Sequence, residues 1–266
     1  GVGSRTRALF AGGYIPAAPN AIAQIDTVVF ASTGNASDFG DLNNSGNIRR
    51  GGAGNQTRGL FAGGGNPTSA AQIDYVTIAS TGTAHDLGDL TVARSRFSGA
   101  GSATRSVFAG GFGGPSPTNT WYNVIDYVTI ATLGDAQDFG DLTQKKTWTS
   151  GASNATRMII GGGDVGPGSG ASAVSETEYL TIASGGNSMF FGDLNAVVDT
   201  GTYANAGVAS PTRGVFNTGL MKNPSASYHN TIYYVQIATQ GKAADFGDLD
   251  GARYGVQTAS NGHGGL

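Results

Sequence analysis

Thr57-Arg58-Gly59-Leu60-Phe61-Ala62-Gly63-Gly64 is followed by Ile73-Asp74-Tyr75-Val76-Thr77-Ile78-Ala79 and then by Leu87-Gly88-Asp89-Leu90, and these three motifs return in the same order along the whole chain. The first recurs at Thr6 to Gly13 and Thr104 to Gly111, with weaker copies from Thr156-Arg157 and Thr212-Arg213. The second matches Ile25 to Ala31, Ile125 to Ala131, Thr177 to Ala183 and Ile232 to Ala238. The third returns at Phe39 to Leu42, Phe139 to Leu142, Phe191 to Leu194 and Phe246 to Leu249. A period of roughly 50 residues marks a repeat architecture, so one unit decides the fold.

Each motif reads as a strand. Tyr75-Val76-Thr77-Ile78 is β-branched and aromatic, and the glycine pair ends the run that holds Leu60 and Phe61. Before each Thr-Arg lies a small-residue run such as Ser98-Gly99-Ala100-Gly101, suited to a place where backbones approach closely. One unit therefore holds four strands: a glycine-rich inner one, a second ending in Gly-Gly, a third like Ile-Asp-Tyr-Val-Thr-Ile, and an outer one carrying Phe-Gly-Asp-Leu. This pattern resembles kelch-repeat propellers in the Gly-Gly doublet, the aromatic third strand and the Ala93-Arg94 or Ala252-Arg253 lead-in to the inner strand. The Trp that many kelch blades carry near the outer strand is missing, and Phe139 stands in its place. The wording of the repeat is also similar to glycine-rich repeats in structural and tail-associated proteins of tailed bacteriophages, cyanophages among them. The expected fold is all-β: one five-bladed β-propeller over residues 1–266, with units of about 1–42, 43–90, 91–142, 143–194 and 195–249.

The ends of the repeat carry a second expectation. The first unit keeps only Gly1 to Ser4 of an inner strand, while Gly251-Ala252-Arg253-Tyr254 looks like Val92-Ala93-Arg94-Ser95. Residues 250–266 are therefore expected to supply a closing strand, with Arg253 to about Asn261 pairing beside Arg7 to Ala11 and leaving no open edge. The other reading is a longer array cut at both ends, because Asn261 to Leu266 also reads as the start of another Thr-Arg-Gly-Leu motif. The absence of an initial Met points to a processed or trimmed piece.

Composition narrows the function. The chain has 266 residues, 45 of them Gly, with only 12% charged and a net charge of -3. That balance gives no general attraction to nucleic acid or an anionic surface. No apolar run is long enough for a membrane helix, and Gly1 to Arg5 lacks a signal-peptide core. The absence of Cys removes thiolate chemistry. No cofactor or metal is expected.

The remaining motifs read as scaffold. Phe139-Gly140-Asp141 is similar to a kinase metal-binding triplet, but it recurs and lacks the companion Lys strand and His-Arg-Asp loop. The acid pairs Asp38/Asp41, Asp86/Asp89, Asp138/Asp141 and Asp245/Asp248 suit calcium chemically, yet turn capping fits them better. The third-strand acids Asp26, Asp74, Asp126 and Glu178, with Tyr233 in the fifth copy, are expected to pair with the motif arginines Arg7, Arg58, Arg105, Arg157 and Arg213. Gly161 to Gly166 lacks the strand–loop–helix setting of a phosphate loop. His85, His229 and His263 sit in different loop positions without ligand spacing. Asn55 and Asn154 are glycosylation acceptors only in a eukaryotic secretory route.

Two sets of loops differ in character. Turns from first to second and third to fourth strand are nearly uniform. The segments Tyr14–Gln24, Gly65–Gln72, Phe112–Asn123, Asp164–Glu176 and Leu220–Asn230 vary in every copy, as do the lead-ins Ile48-Arg49-Arg50 and Lys145-Lys146-Thr147-Trp148, and Tyr203. Varied loops on a rigid scaffold are where recognition sits. The candidate binding residues are Trp121, Tyr122, Trp148, Lys145, Tyr228 and Tyr14, with Lys146 and Arg49 on the same face. Aromatic faces with a few donors suit sugar rings. The expectation is a non-catalytic module on a virion or extracellular surface, binding a host-surface glycan or a virion protein and open to homo-oligomerisation. A purely structural spacer or a cellular repeat-type lectin is the second reading, and a propeller glycosidase comes last.

Overall fold

The computed structural model describes residues 1–15, 21–44, 48–65, 68–114, 120–166, 173–194, 201–203, 206–222 and 226–259. Every regular element among them is a β-strand. Five antiparallel four-stranded sheets stand in a ring as the blades of a β-propeller, each sheet in the simple order inner, second, third, outer. In the second blade these strands are Gly51–Gly54, Arg58–Ala62, Gln72–Thr77 and His85–Asp89. The other inner strands are Val2–Gly3, Ser98–Gly101, Ser150–Ser153 and Gly207–Ala209.

The runs of consecutive apolar residues follow from blade packing. Leu60, Phe61 and Ala62 alternate in direction, yet all three are buried, because each blade is covered on both faces. Four apolar clusters result. One joins the first and second blades through Leu9, Phe39, Phe61 and Ile78, and another joins the second and third through Leu60, Leu87, Phe108 and Ile130. A third joins the third and fourth through Val107, Phe139, Met158 and Ile182. The last joins the fourth and fifth through Ile159, Phe191, Phe216 and Ile237.

The Phe-Gly-Asp-Leu motif is a bulged outer strand. Ile73 pairs with Gly88 but Asp74 with Asp86, so Leu87 is the extra residue and turns into the core. Gly88 has φ +150°, and a Cβ there would lie 2.5 Å from the Gly134 carbonyl oxygen on the next blade. The glycine thus permits both the bulge and the blade-to-blade contact. Asp38 accepts the Gly40 N–H at 3.2 Å and Asp245 the Gly247 N–H at 3.1 Å, which is the capping duty expected of these acids.

The expected closing strand is a correction. Val2 and Gly3 already pair with Leu9 and Ala8, so the first blade has its own inner strand. Residues 250–259 form no strand ladder, and Ser260 and Asn261 lie outside the described residues. Val256 to Ala259 instead run along the central channel, a space of about 200 Å³ lined by the five inner strands and by the tail. The junction of fifth and first blades also differs from the other four. Gly82 N–H donates to the Phe39 carbonyl at 2.7 Å and Ala84 N–H to that of Asp41 at 2.8 Å, a pair repeated at the next three junctions. Among the described residues no such bonds join Gly34 and Ala36 to the fifth blade. Phe246 and Phe30 are 55% and 54% exposed there, whereas Phe39, Phe139 and Phe191 at the first position, and Ile78, Ile130, Ile182 and Ile237 at the second, are buried.

Candidate functional site

Three of the third-strand acids are held by cations from a different place than expected, while Asp26 accepts from Gln24 Nε2 at 3.1 Å. Asp74 meets Arg50 at 2.5 Å, Asp126 meets Arg94 at 2.7 Å and Glu178 meets Lys146 at 2.6 Å, all deeply buried. These cations belong to the lead-in of each blade's own inner strand. Arg94 also donates to the Gly110 and Phe108 carbonyls at 2.9 and 3.2 Å, and Thr91 Oγ1 donates to Asp126 at 2.6 Å. Burial pushes the Arg94 guanidinium below its ordinary value, and Asp126 opposes that shift. Burial alone would raise the Glu178 carboxyl, but Lys146, Ser188 and the Thr143 N–H outweigh it and hold it below the ordinary range. Lys146, expected on the binding face, is therefore structural.

The motif arginines do other work. Arg58, Arg105 and Arg157 each lie over the tyrosine of their own third strand, Tyr75, Tyr127 and Tyr179, at 4.6–4.7 Å. Each then donates to carbonyls of the next blade, as Arg105 does to Ile182 at 3.1 Å and Ala183 at 2.9 Å. Register explains this. Arg105 sits opposite Thr129, two residues from Tyr127 and on the same face, whereas Asp126 lies three away on the other face.

Above these pairs, at the mouth of the channel, the lead-ins form a collar. Arg49, Arg96 and Trp148 occupy one repeat position and have φ of 62°, 61° and 58°, the only positive φ values among described residues other than glycine. Such a conformation is a steric cost for large side chains. Their backbones are joined in series: Arg96 N–H donates to Arg49 at 3.1 Å and Trp148 N–H to Arg96 at 2.6 Å. Their side chains stack as well. Arg96 lies 4.9 Å and Arg49 5.7 Å from the Trp148 ring centre, and Arg96 also covers Phe112 at 4.6 Å. Burial, then the neighbouring charge of Arg49, lowers Arg96 to about 10, with Asp164 opposing.

The predicted residues divide among these features. Trp121 stands opposite Phe112 in a small hairpin, with the rings edge-on at 5.2 Å, so Trp121 and Trp148 meet one collar through Phe112 and Arg96. Tyr122 is half-buried behind them and its N–H donates to Gly111 at 2.9 Å. Lys145 is exposed beside the collar. Tyr14 lies 60% exposed and, with Gly13, Ile48 and Arg49, lines a cleft of about 420 Å³. Tyr228 is apart, stacked at 5.3 Å and 10° on Tyr254 of the tail, both exposed. The side chain of Tyr203 lies outside the described residues, as does His263. His85 begins an outer strand, rather than a loop, and its ring lies 5.6 Å from that of Tyr75. His229 contacts Ser227 Oγ at 2.8 Å. Among the described residues no three His, Asp or Glu side chains gather as a metal site. Sequence reasoning missed Arg96 and Phe112. The only signal was alignment of Arg96 with Arg49 and Trp148. No protein-family model matches the chain, and no curated protein matches its sequence.

Proposed function

We propose that the protein is a non-catalytic recognition module whose collar and adjoining cleft bind a surface glycan, with acidic sugars favoured. The observation that carries this reading is the set of three large side chains, Arg49, Arg96 and Trp148, held in left-handed backbone conformation at one repeat position. Scaffold duty alone would favour glycine there, as Gly255 with φ 69° illustrates at the matching place in the tail. Strain retained at a varied position that is exposed at Arg49 and half-buried at Arg96 and Trp148 supports a ligand role. Among the described residues Asp164 is the acid that offsets Arg96 beside the positive Arg49, one carboxylate for two guanidiniums, which leaves room for a second negative charge, and the Tyr14 cleft shares Arg49 with this pair. A carboxylate or sulfate on a sugar would supply that charge, while Tyr14 offers a stacking face. The wording of the repeat supports placing the module on a virion or extracellular surface. The test is a glycan array followed by titration of any hit. Binding lost in Arg96→Gly with the melting temperature unchanged supports the proposal; no glycan hit, or undiminished binding by Arg96→Gly, refutes it.

A further inference from the structure

The tail is placed as a sixth inner strand, although it lacks a ladder. The inner strands touch one another at one register position, occupied in turn by Gly1, Gly52, Gly99, Gly151 and Gly207. A Cβ on Gly52 would lie 2.7 Å from the Gly1 carbonyl oxygen, on Gly99 2.5 Å from that of Gly52, on Gly151 3.0 Å from that of Gly99, and on Gly207 2.7 Å from that of Gly151. Thr258 continues the series: its Oγ1 donates to the Gly207 carbonyl at 2.8 Å, and a Cβ on Gly1 would lie 2.7 Å from the Thr258 carbonyl oxygen. The ring around the channel thus has six members, five inner strands and the tail.

The lead-in agrees. Arg94, Lys146 and Thr202 each donate their N–H to the carbonyl three residues before the preceding blade's second motif: Ala70, Tyr122 and Val174, at 3.1–3.2 Å. Arg253 donates to His229, the same position, at 3.4 Å. Two residues on, Gly255 has the left-handed conformation of Arg49, Arg96 and Trp148. In three blades the lead-in cation pairs with the acid of the blade it opens. Arg253 is exposed and its guanidinium donates to its neighbour Gly251, because no acid-bearing third strand stands outside it. A lone inner strand has no second strand to pair with, which accounts for the missing ladder.

We infer that the notch between the fifth and first blades is the seat of a sixth blade, whose inner strand is Arg253–Ala259. The occupant is three more antiparallel strands of this chain's own repeat, joined to the tail. The four formed junctions show what such strands would do. A turn like Gly134 would cover Phe246 and Gly247, a Phe-Gly-Asp strand would cover Phe30 and Ala36, and a third-strand acid would meet Arg253. The sequence keeps phase past the tail, with Asn261 matching Asn55 and Asn154, and Leu266 matching Leu9 and Leu60.

The chain has no Cys, so a single introduced thiol reports on the notch. Ala36 is exposed, while its counterpart Ala84 is buried. In the 266-residue chain, Ala36→Cys should react with a thiol reagent far faster than Ala84→Cys, at any protein concentration. Replacing residues 260–266 by a copy of residues 101–142 should slow Ala36→Cys about tenfold or more, raise the melting temperature and leave the protein monomeric. Two results overturn the inference: a folded extended chain whose Ala36→Cys reacts as before, or protection of Ala36→Cys already in the 266-residue chain. Protection that grows with concentration would assign the notch to a second copy. If the extended chain does not fold, the concentration series decides together with an Arg253→Ala and Asp26→Ala double-mutant cycle. Coupling between those two would make the tail the first blade's own inner strand and also overturn the inference.

Discussion

The third and fifth blades share a backbone but are fastened differently. In the third blade Arg94 and Asp126 form a fully buried ion pair. In the fifth blade both members are replaced: Thr202 takes the cation's place and Tyr233 the acid's, and both are buried. The second blade keeps the pair but moves the cation three positions along, to Arg50, so geometry at the carboxylate is preserved while the repeat phase is not. A buried charge is costly unless its partner is present, so the two sites change together or the cation is supplied from nearby. The pair fixes the lead-in to its own blade.

The comparison is broken most severely by removing one partner. Asp126→Ala leaves Arg94 buried without its carboxylate and should cost about 3–5 kcal/mol. Tyr233→Phe in the fifth blade removes one hydroxyl and should cost about 1 kcal/mol. Chemical denaturation of both variants measures the contrast. Arg94→Thr with Asp126→Tyr copies the fifth blade into the third and should be less damaging than Asp126→Ala alone. If the single and double variants are equally unstable, the paired-replacement argument fails.

Acid sharpens the same comparison in the fourth blade. The Glu178 carboxyl is held below its ordinary range in the folded protein. Its contribution is therefore present above the unfolded carboxylate pKa of about 4.3 and fades as pH falls through the lower folded value. Stability of the wild-type chain should drop on acidification in that window. Glu178→Gln should be less stable at neutral pH, by about 2–3 kcal/mol since the Lys146 charge stays buried, and should lose part of the acid dependence. An unchanged acid slope in Glu178→Gln would remove Glu178 from the account.

Period and residue type made the blades legible: five copies of three strand motifs give five sheets in the observed order. The ion-pair partner was not legible. Arg105 shares the period of Asp126 as well as Arg94 does, and only strand register puts Arg105 on the face of Tyr127. The shift of the cation to Arg50 further hid the true pattern. The collar was half legible. Trp148 stood out as an aromatic in a varied segment, but nothing local marks a left-handed Trp or Arg. The tail's likeness to Val92 to Ser95 marked it as inner-strand-like, but the expected pairing beside Arg7 to Ala11 is not formed, and sequence could not say beside which blades the tail lies. That answer rests on Thr258 meeting Gly207 and Gly1.

The smallest effects test the junctions. Arg105 combines a ring contact at 4.6 Å with two carbonyl bonds to the fourth blade. Arg213 keeps the ring contact, 4.8 Å from Tyr234, but is exposed, and among the described residues no bond from it reaches the first blade. A partly exposed cation–π contact contributes about 0.5–1 kcal/mol, and charge-assisted bonds to carbonyls add about 1 kcal/mol or more. Arg105→Ala should therefore cost about 2 kcal/mol and Arg213→Ala about 0.5 kcal/mol. At this chain length the first should lower the melting temperature by roughly 4–8 °C and the second by roughly 1–2 °C. The difference comes from the neighbouring blade, not from the arginine, so it should shrink when a sixth blade is grafted onto the tail and gives Arg213 carbonyls to reach. Equal losses at Arg105 and Arg213 in the 266-residue chain would mean that the fifth and first blades meet in solution, and the distinction between four formed junctions and one open one would fall.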